Sequence, residues 1–252
     1  MDTDTNEGFS KVPEVNLIFW IIKILATTLG ETGGDAFSMS MNLGYLVSTA
    51  IFALIFVGAV VIQVRAKKFH PVIYWTTIVA TTTVGTTLAD FADRSLGVGY
   101  AGGTTILFLL LISSLFVWHR TLGSVAVDTV SSPKSEAFYW ITIMFSQTLG
   151  TALGDWLADD AGLGYGGSAM VFGGMLALIG ALYYLTKASR TALFWAAFIL
   201  TRPLGAVVGD FLDKPLSKGG LELSRYWASA LLVLAILICI FFFRHRPAKR
   251  AH

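Results

Sequence analysis

The residues best placed to do chemistry are charged groups set in apolar surroundings. Glu31, Asp35, Asp90, Asp155 and Asp210 lie in or at the ends of long hydrophobic runs, and two cations, Lys23 and Arg202, lie inside such runs. An ionisable group in hydrocarbon is costly unless it is paired or wet, so these positions point to the handling of ions, protons or polar solutes. Thr27, Thr82, Thr86, Gln147 and Thr151 stand near them in the chain and add hydroxyl and amide oxygens. Carboxylate, hydroxyl and amide oxygens are the ligands of hard cations such as manganese, magnesium and calcium. The five carboxylates outnumber Lys23 and Arg202 by three charges, which suits a cation or a proton better than an anion. Histidine is absent from these runs except near their ends, at His70 and His119, which argues against zinc, nickel or copper.

The spacing is regular. Counted from Trp20, Trp75, Trp140 and Trp195, a Gly follows at offset 10 and an Asp at offset 15 in every case, and a Tyr follows at offset 25 in the first three. The chain is therefore four copies of one unit, the fourth diverging after its Asp. Steps of four residues keep one helix face, so offsets 3, 7, 11 and 15 form a stripe in each copy. The stripes read Lys23, Thr27, Glu31, Asp35; Ile78, Thr82, Thr86, Asp90; Ile143, Gln147, Thr151, Asp155; and Phe198, Arg202, Ala206, Asp210. Offsets 10 and 14 are Gly or Ala throughout, a small-xxx-small pattern that lets helices approach closely. Glu31 is the one acid at offset 11, near the middle of its run. Lys23 and Arg202 read as charge-balancing or gating groups. A bland alternative for the Asp set stays open, in which each Asp merely ties neighbouring helices together.

The elements that must position these stripes are membrane helices. The 252 residues are 55% hydrophobic and 13% charged, with a mean hydropathy of +0.69, about half the charge of a soluble domain. Each copy holds two apolar runs, which predicts spans at 16–38, 43–64, 71–92, 100–119, 136–158, 165–186, 190–212 and 225–244. The expected fold is an all-α membrane protein of eight transmembrane helices. Its four parallel two-helix repeats, about 11–70, 71–120, 136–189 and 190–244, surround a pseudo-symmetric centre, and 121–135 forms a cytoplasmic linker. Twelve of the Lys and Arg residues, Lys249 and Arg250 among them, fall on one side of these spans and four, Arg94, Lys214, Lys218 and Arg225, on the other. The positive-inside rule then puts both termini in the cytoplasm and the Asp ends outside. The Trp residues are expected near the cytoplasmic interface as anchors. Met1–Ser10 is polar and acidic and lacks the order of a signal peptide, so the first helix is expected to serve as its own insertion signal.

Lys11-Val12-Pro13-Glu14-Val15 leading into Trp20, then Thr27-Thr28-Leu29-Gly30-Glu31-Thr32-Gly33-Gly34-Asp35, repeated in weaker form three times, resembles bacterial polytopic membrane proteins made of four tandem two-helix repeats of unknown function. The resemblance implies the architecture and is silent on activity.

The residues themselves are expected to form a secondary transporter or exporter of a hard divalent cation, manganese first, coupled to protons through the intramembrane carboxylates. A passive cation channel and a non-transporting assembly or sensor protein with a structural Asp ring are the alternatives. The chain carries no HExxH, no P-loop, no GxSxG and no Cys–His pair, so an enzyme is not expected. The single Cys239 allows neither a disulfide framework nor a thiolate site. No cofactor is expected. The expected partners are the lipid bilayer, small cations and protons, with a homo-oligomer left open and no nucleic acid. The expected location is the bacterial inner membrane.

Overall fold

The local signals for helix are strong, and the computed structural model, which describes residues 10–248, carries them out. Eight long helices follow in order: α1 (Leu17–Asp35), α2 (Gly44–Arg65), α3 (Pro71–Asp90), α4 (Tyr100–Leu122), α5 (Pro133–Asp155), α6 (Gly164–Leu185), α7 (Arg190–Asp213) and α8 (Arg225–Phe242). Starts are set by ordinary caps: the Asn16 side chain accepts from the Phe19 amide, and Ser189 accepts from the Ala192 amide. Each of the first three odd helices runs on into one π-helical turn, at Ala36–Ser40, Phe91–Ser95 and Trp156–Asp160. The fourth copy lacks that turn and has a 3-10 turn at Leu216–Lys218, where its sequence diverges. Pro203 does not end α7, which stays helical through it.

Six of these helices are long and apolar enough to cross a bilayer: α1 with its π turn, α2, α4, α6, α7 and α8. This is a membrane protein by length and composition. The two others, α3 and α5, are the polar members of an inner set. Thr77, Thr83 and Thr87 of α3 each return their hydroxyl to the carbonyl four residues back, so these side chains are satisfied without water.

The odd helices close a ring in the order α1, α3, α5, α7 and back to α1. Packing across it follows the repeat register. Gly30 faces Thr82, Gly85 faces Gln147, Gly150 faces Arg202, and Gly205 faces Thr27. Each offset-10 glycine thus receives the offset-7 side chain of the next copy, and the fourth receives that of the first. The even helices form an outer layer in which each leans on the odd helix of the following repeat: α2 on α3, α4 on α5, α6 on α7, and α8 on α1. Their outward faces are apolar and exposed, as at Leu54, Ile62, Leu109, Leu178, Leu231 and Phe241. No repeat buries its inner face by itself, so the four copies stabilise one another.

The ring tolerates no added atoms at its closest approaches. A Cβ on Gly85 would sit 2.9 Å from the backbone carbon of Gln147 and 3.0 Å from the amide of Thr148, and backbone cannot rotate away. Gly85→Ala is expected to destabilise by about 1–3 kcal/mol through overpacking. Gly174→Ala, on α6 with open space around it, should be neutral or stabilising by up to about 1 kcal/mol. Unfolding of both variants in detergent checks the contrast.

Two expectations need correction. The connection between the halves is shorter than the expected 121–135, because α4 runs to Leu122 and a capping box at Ser132 and Ser135 with Pro133 starts α5 early. The intervening strip folds across the Trp end of the ring with both terminal segments. Ser10 Oγ donates to Val127 O (2.7 Å), the Lys11 amide to Val130 O (3.0 Å), and the Ala248 amide to Val12 O (2.8 Å). The second correction concerns three of the four repeat-start Trp residues, Trp20 being half-buried. Trp75, Trp140 and Trp195 are buried against Tyr74, Tyr139 and Trp118 at the ring's end, with edge-on ring contacts of 5.1–6.2 Å, instead of facing an interface. Shielding an aromatic group among seven helices and a cap removes more apolar area from water than an anchor position does.

Candidate functional site

The stripes predicted from spacing meet on the ring axis as stacked layers, and every stripe residue is buried. At the Trp end the Tyr74 and Tyr139 hydroxyls share a hydrogen bond of 2.6 Å inside the aromatic cluster. At the next offset stand Lys23, Ile78, Ile143 and Phe198, all fully buried. Lys23 is fully enclosed, its Nζ lies 4.2 Å from the centre of the Phe198 ring, and no hydrogen-bond partner reaches it.

Arg202 comes from the following layer and pairs with Glu31 one layer on. Both guanidinium Nη atoms lie 3.1 Å from Glu31 Oε2, and Nη2 also donates to the hydroxyls of Thr86 and Thr151. Thr86 in turn donates to Glu31 Oε2 (3.2 Å). Four helices are therefore tied through one guanidinium: α7 supplies Arg202, α1 Glu31, α3 Thr86 and α5 Thr151. The room for this comes from the small residues, since Gly150 lies against the Arg202 stem and Gly209 against Glu31 Cβ. Thr27 is committed to backbone, its hydroxyl lying 3.1 Å from Lys23 O and 3.2 Å from Thr201 O. Thr82 Oγ1 and the whole Gln147 amide have no partner.

The four Asp residues form the last layer, and they are clamped by cations. Arg94 Nε lies 2.9 Å from Asp90 and its Nη2 lies 3.2 Å from Asp155. Lys214 bonds Asp35 and lies 3.1 Å from Asp210. Arg225 bonds Asp213 at 2.8 Å and approaches Asp35 at 3.8 Å. Burial alone would push the Lys214 ammonium down, but Asp210, Asp35 and Asp213 together hold it well above its ordinary value, so it stays charged. Carboxylate oxygens of Glu31, Asp35 and Asp90 lie within 4.8 Å of one another, and so do those of Asp35, Asp210 and Asp213.

Sequence reasoning found the five carboxylates and both inner cations but left Arg94, Lys214, Asp213 and Arg225 out of the site. With them, six carboxylates face five cations, and the surplus of three negative charges shrinks to one. A signal was present: Arg94 and Lys214 each stand four residues after their repeat's Asp, the spacing at which helix neighbours pair.

The layered register has a counterpart in comparisons with known proteins. The family model described as Repeat of Unknown Function (DUF347) matches at residues 18–69, 73–124, 138–189 and 193–250. The chain belongs to this family. The four matches coincide with the four Trp-to-Trp units, and the family brings an architecture without an activity. No curated protein and no solved structure matches the chain.

Proposed function

We propose that this member of the repeat family is a secondary carrier that exchanges a small hard cation for protons. In this reading all eight helices cross a bacterial inner membrane, the four repeats stand parallel around the ring axis, and both termini face the cytoplasm. The observation that carries the proposal is the approach of Glu31, Asp35 and Asp90 oxygens to within 4.8 Å at the end of a buried polar axis fed by all four inner helices. Three carboxylate oxygens at that separation suit a divalent ion with oxygen preference, manganese being the first to try.

The remaining geometry says how such an ion is handled. Arg202 holds Glu31 and Lys214 holds Asp35, so protein cations neutralise these carboxylates. An entering cation displaces those side chains, and its binding is thereby coupled to breaking the pairs that fasten α7 and its following loop to α1. The axis is shut at one end by the aromatic cluster and at the other by the Arg94 and Lys214 clamps, which favours a carrier over an open channel. A ligand that binds only the folded state raises its melting temperature. Manganese should produce a saturable rise in the purified protein, weakened in Asp90→Asn, and manganese-dependent proton flux in liposomes. No shift from any divalent ion would overturn the proposal.

One observation favours a second reading. Arg94 and Lys214 each join Asp residues of adjacent repeats, as a purely structural ring in an assembly or sensor protein would need. That reading expects Asp substitutions to lower stability with no ion-specific effect.

A further inference from the structure

We propose that Lys23 carries the exchanged proton and that Arg202 makes this proton and the bound cation mutually exclusive. The inference rests on the carrier reading and moves the coupling site from the carboxylates to an amine. Among the described residues on the ring's inner faces, Glu31, Asp35, Asp90, Asp155, Asp210 and Arg202 all have ion-pair partners. Lys23 has none: it is 0% exposed and its Nζ makes no hydrogen bond. Its one favourable contact is the Phe198 ring at 4.2 Å, a cation–π contact that offsets only part of the lost hydration.

The groups shown near Lys23 lie on α7, and the repeat register says which residues of the other inner helices share its level. From α7 these are Phe198 under the ammonium and, one turn on, Arg202; at the same repeat offset α3 carries Ile78 and α5 Ile143, at the next offset Thr82 and Gln147, and toward the Trp end lies the Tyr74–Tyr139 pair. The part of α8 packed on α1 brings no charged side chain. No carboxylate lies in this layer, and Glu31, two turns along α1, is taken by Arg202. The only formal charge near Lys23 is therefore a like charge on a side chain that has a reason to move.

A cation ligated by Glu31 evicts the guanidinium. The freed Arg202 has two unfilled groups at its own repeat offset to turn to, the Gln147 amide and the Thr82 hydroxyl, one offset from Lys23. Two positive charges in that dry layer repel strongly, and the ammonium loses its proton: the N–H bond breaks, the electron pair stays on Nζ, and the proton leaves to water. Departure of the cation reverses each step. Arg202 returns to Glu31, and Lys23 regains a proton over the Phe198 ring. One proton is released for each cation bound.

The test titrates manganese into detergent-purified protein in weakly buffered solution with a pH indicator, while thermal unfolding reports binding. Wild type is expected to release about one proton per bound ion, with an apparent affinity that rises about tenfold per pH unit while Lys23 is protonated in the free protein. Lys23→Met should bind manganese with almost no release and lose that pH dependence. Its cation-free melting temperature should rise, since a buried charge without a partner is gone. Lys23→Gln should behave likewise and keeps a polar side chain in the layer. Equal proton release by wild type and both variants would assign the proton to the carboxylates and sink this proposal while leaving the carrier reading intact. Absence of manganese binding in wild type would remove the carrier reading and this one with it. Failure of both variants to fold would make Lys23 a structural cation and overturn the proposal too.

Discussion

Glu31→Gln is expected to cost the folded protein about 3–5 kcal/mol, the penalty for stranding one member of a buried ion pair. The magnitude follows from where Arg202 sits. It is fully enclosed, and among the described residues Glu31 is its only carboxylate partner, the rest of its contacts being Thr hydroxyls and carbonyl oxygens at 3.5 Å. Glutamine leaves a full positive charge among neutral groups, with Lys23 adding like charge below. The double variant Glu31→Gln with Arg202→Gln removes both charges and should regain most of the loss, because two amides can bond each other and the Thr86 and Thr151 hydroxyls. Unfolding of the two single variants and the double gives the coupling between the sites. Cation binding separates the roles: any manganese-induced rise in melting temperature should vanish in Glu31→Gln and stay absent in the restored double variant. A single variant as stable as wild type would show that the guanidinium is adequately held by Thr86 and Thr151 alone, and that the pair is not what closes the ring.

Much of this arrangement was legible in the residues, for identifiable reasons. The Trp, Gly and Asp recurrences are periodic, and periodicity survives without knowledge of tertiary contacts, so eight helices and the shared stripe could be read directly. The small positions at offsets 10 and 14 correctly announced close helix contacts, since Gly85 lies on the Gln147 backbone and Gly209 on Glu31. Two features escaped because they depend on the order in which helices meet. Nothing in the apolar surface of α2 says that it leans on α3 of the next repeat, since lipid-facing Leu and Ile fit either neighbour equally. The ion clamps escaped because Arg94 and Lys214 lie just past the spans and were counted as markers of orientation. Folding brings them back over the Asp layer, and the apparent excess of negative charge largely disappears. Trp75, Trp140 and Trp195 misled in a similar way: an aromatic near a helix end is an interface anchor in a lone span, whereas here the ring and its cap enclose them.

That near-balance of charge gives the Asp end two opposing readings, and Lys214→Met decides between them. Lys214 neutralises Asp35 and Asp210 at once, with a side chain only 9% exposed. Its loss leaves two carboxylates facing each other near Asp213, with Arg225 at 3.8 Å the one remaining cation beside Asp35 among the described residues. The cation-free protein is expected to lose about 3 kcal/mol, at the lower bound for a broken buried pair. In the carrier reading Lys214 is also a competitor, because the ammonium occupies the Asp35 oxygens that a metal needs. Removing a competitor that holds the empty site by about 1.4 kcal/mol or more strengthens cation binding about tenfold or more. The variant should therefore melt lower than wild type without manganese and show a larger rise with it, at a lower half-saturating concentration. In the structural reading the ammonium competes with nothing, and the variant melts lower at every manganese concentration by the same amount. Arg94→Met applies the same logic to Asp90, the third member of the oxygen cluster, and should shift in the same direction. Opposite signs for stability and for ion response in one variant cannot arise from a ring that serves only as glue, whereas they follow directly if the clamp and the cation share the same oxygens.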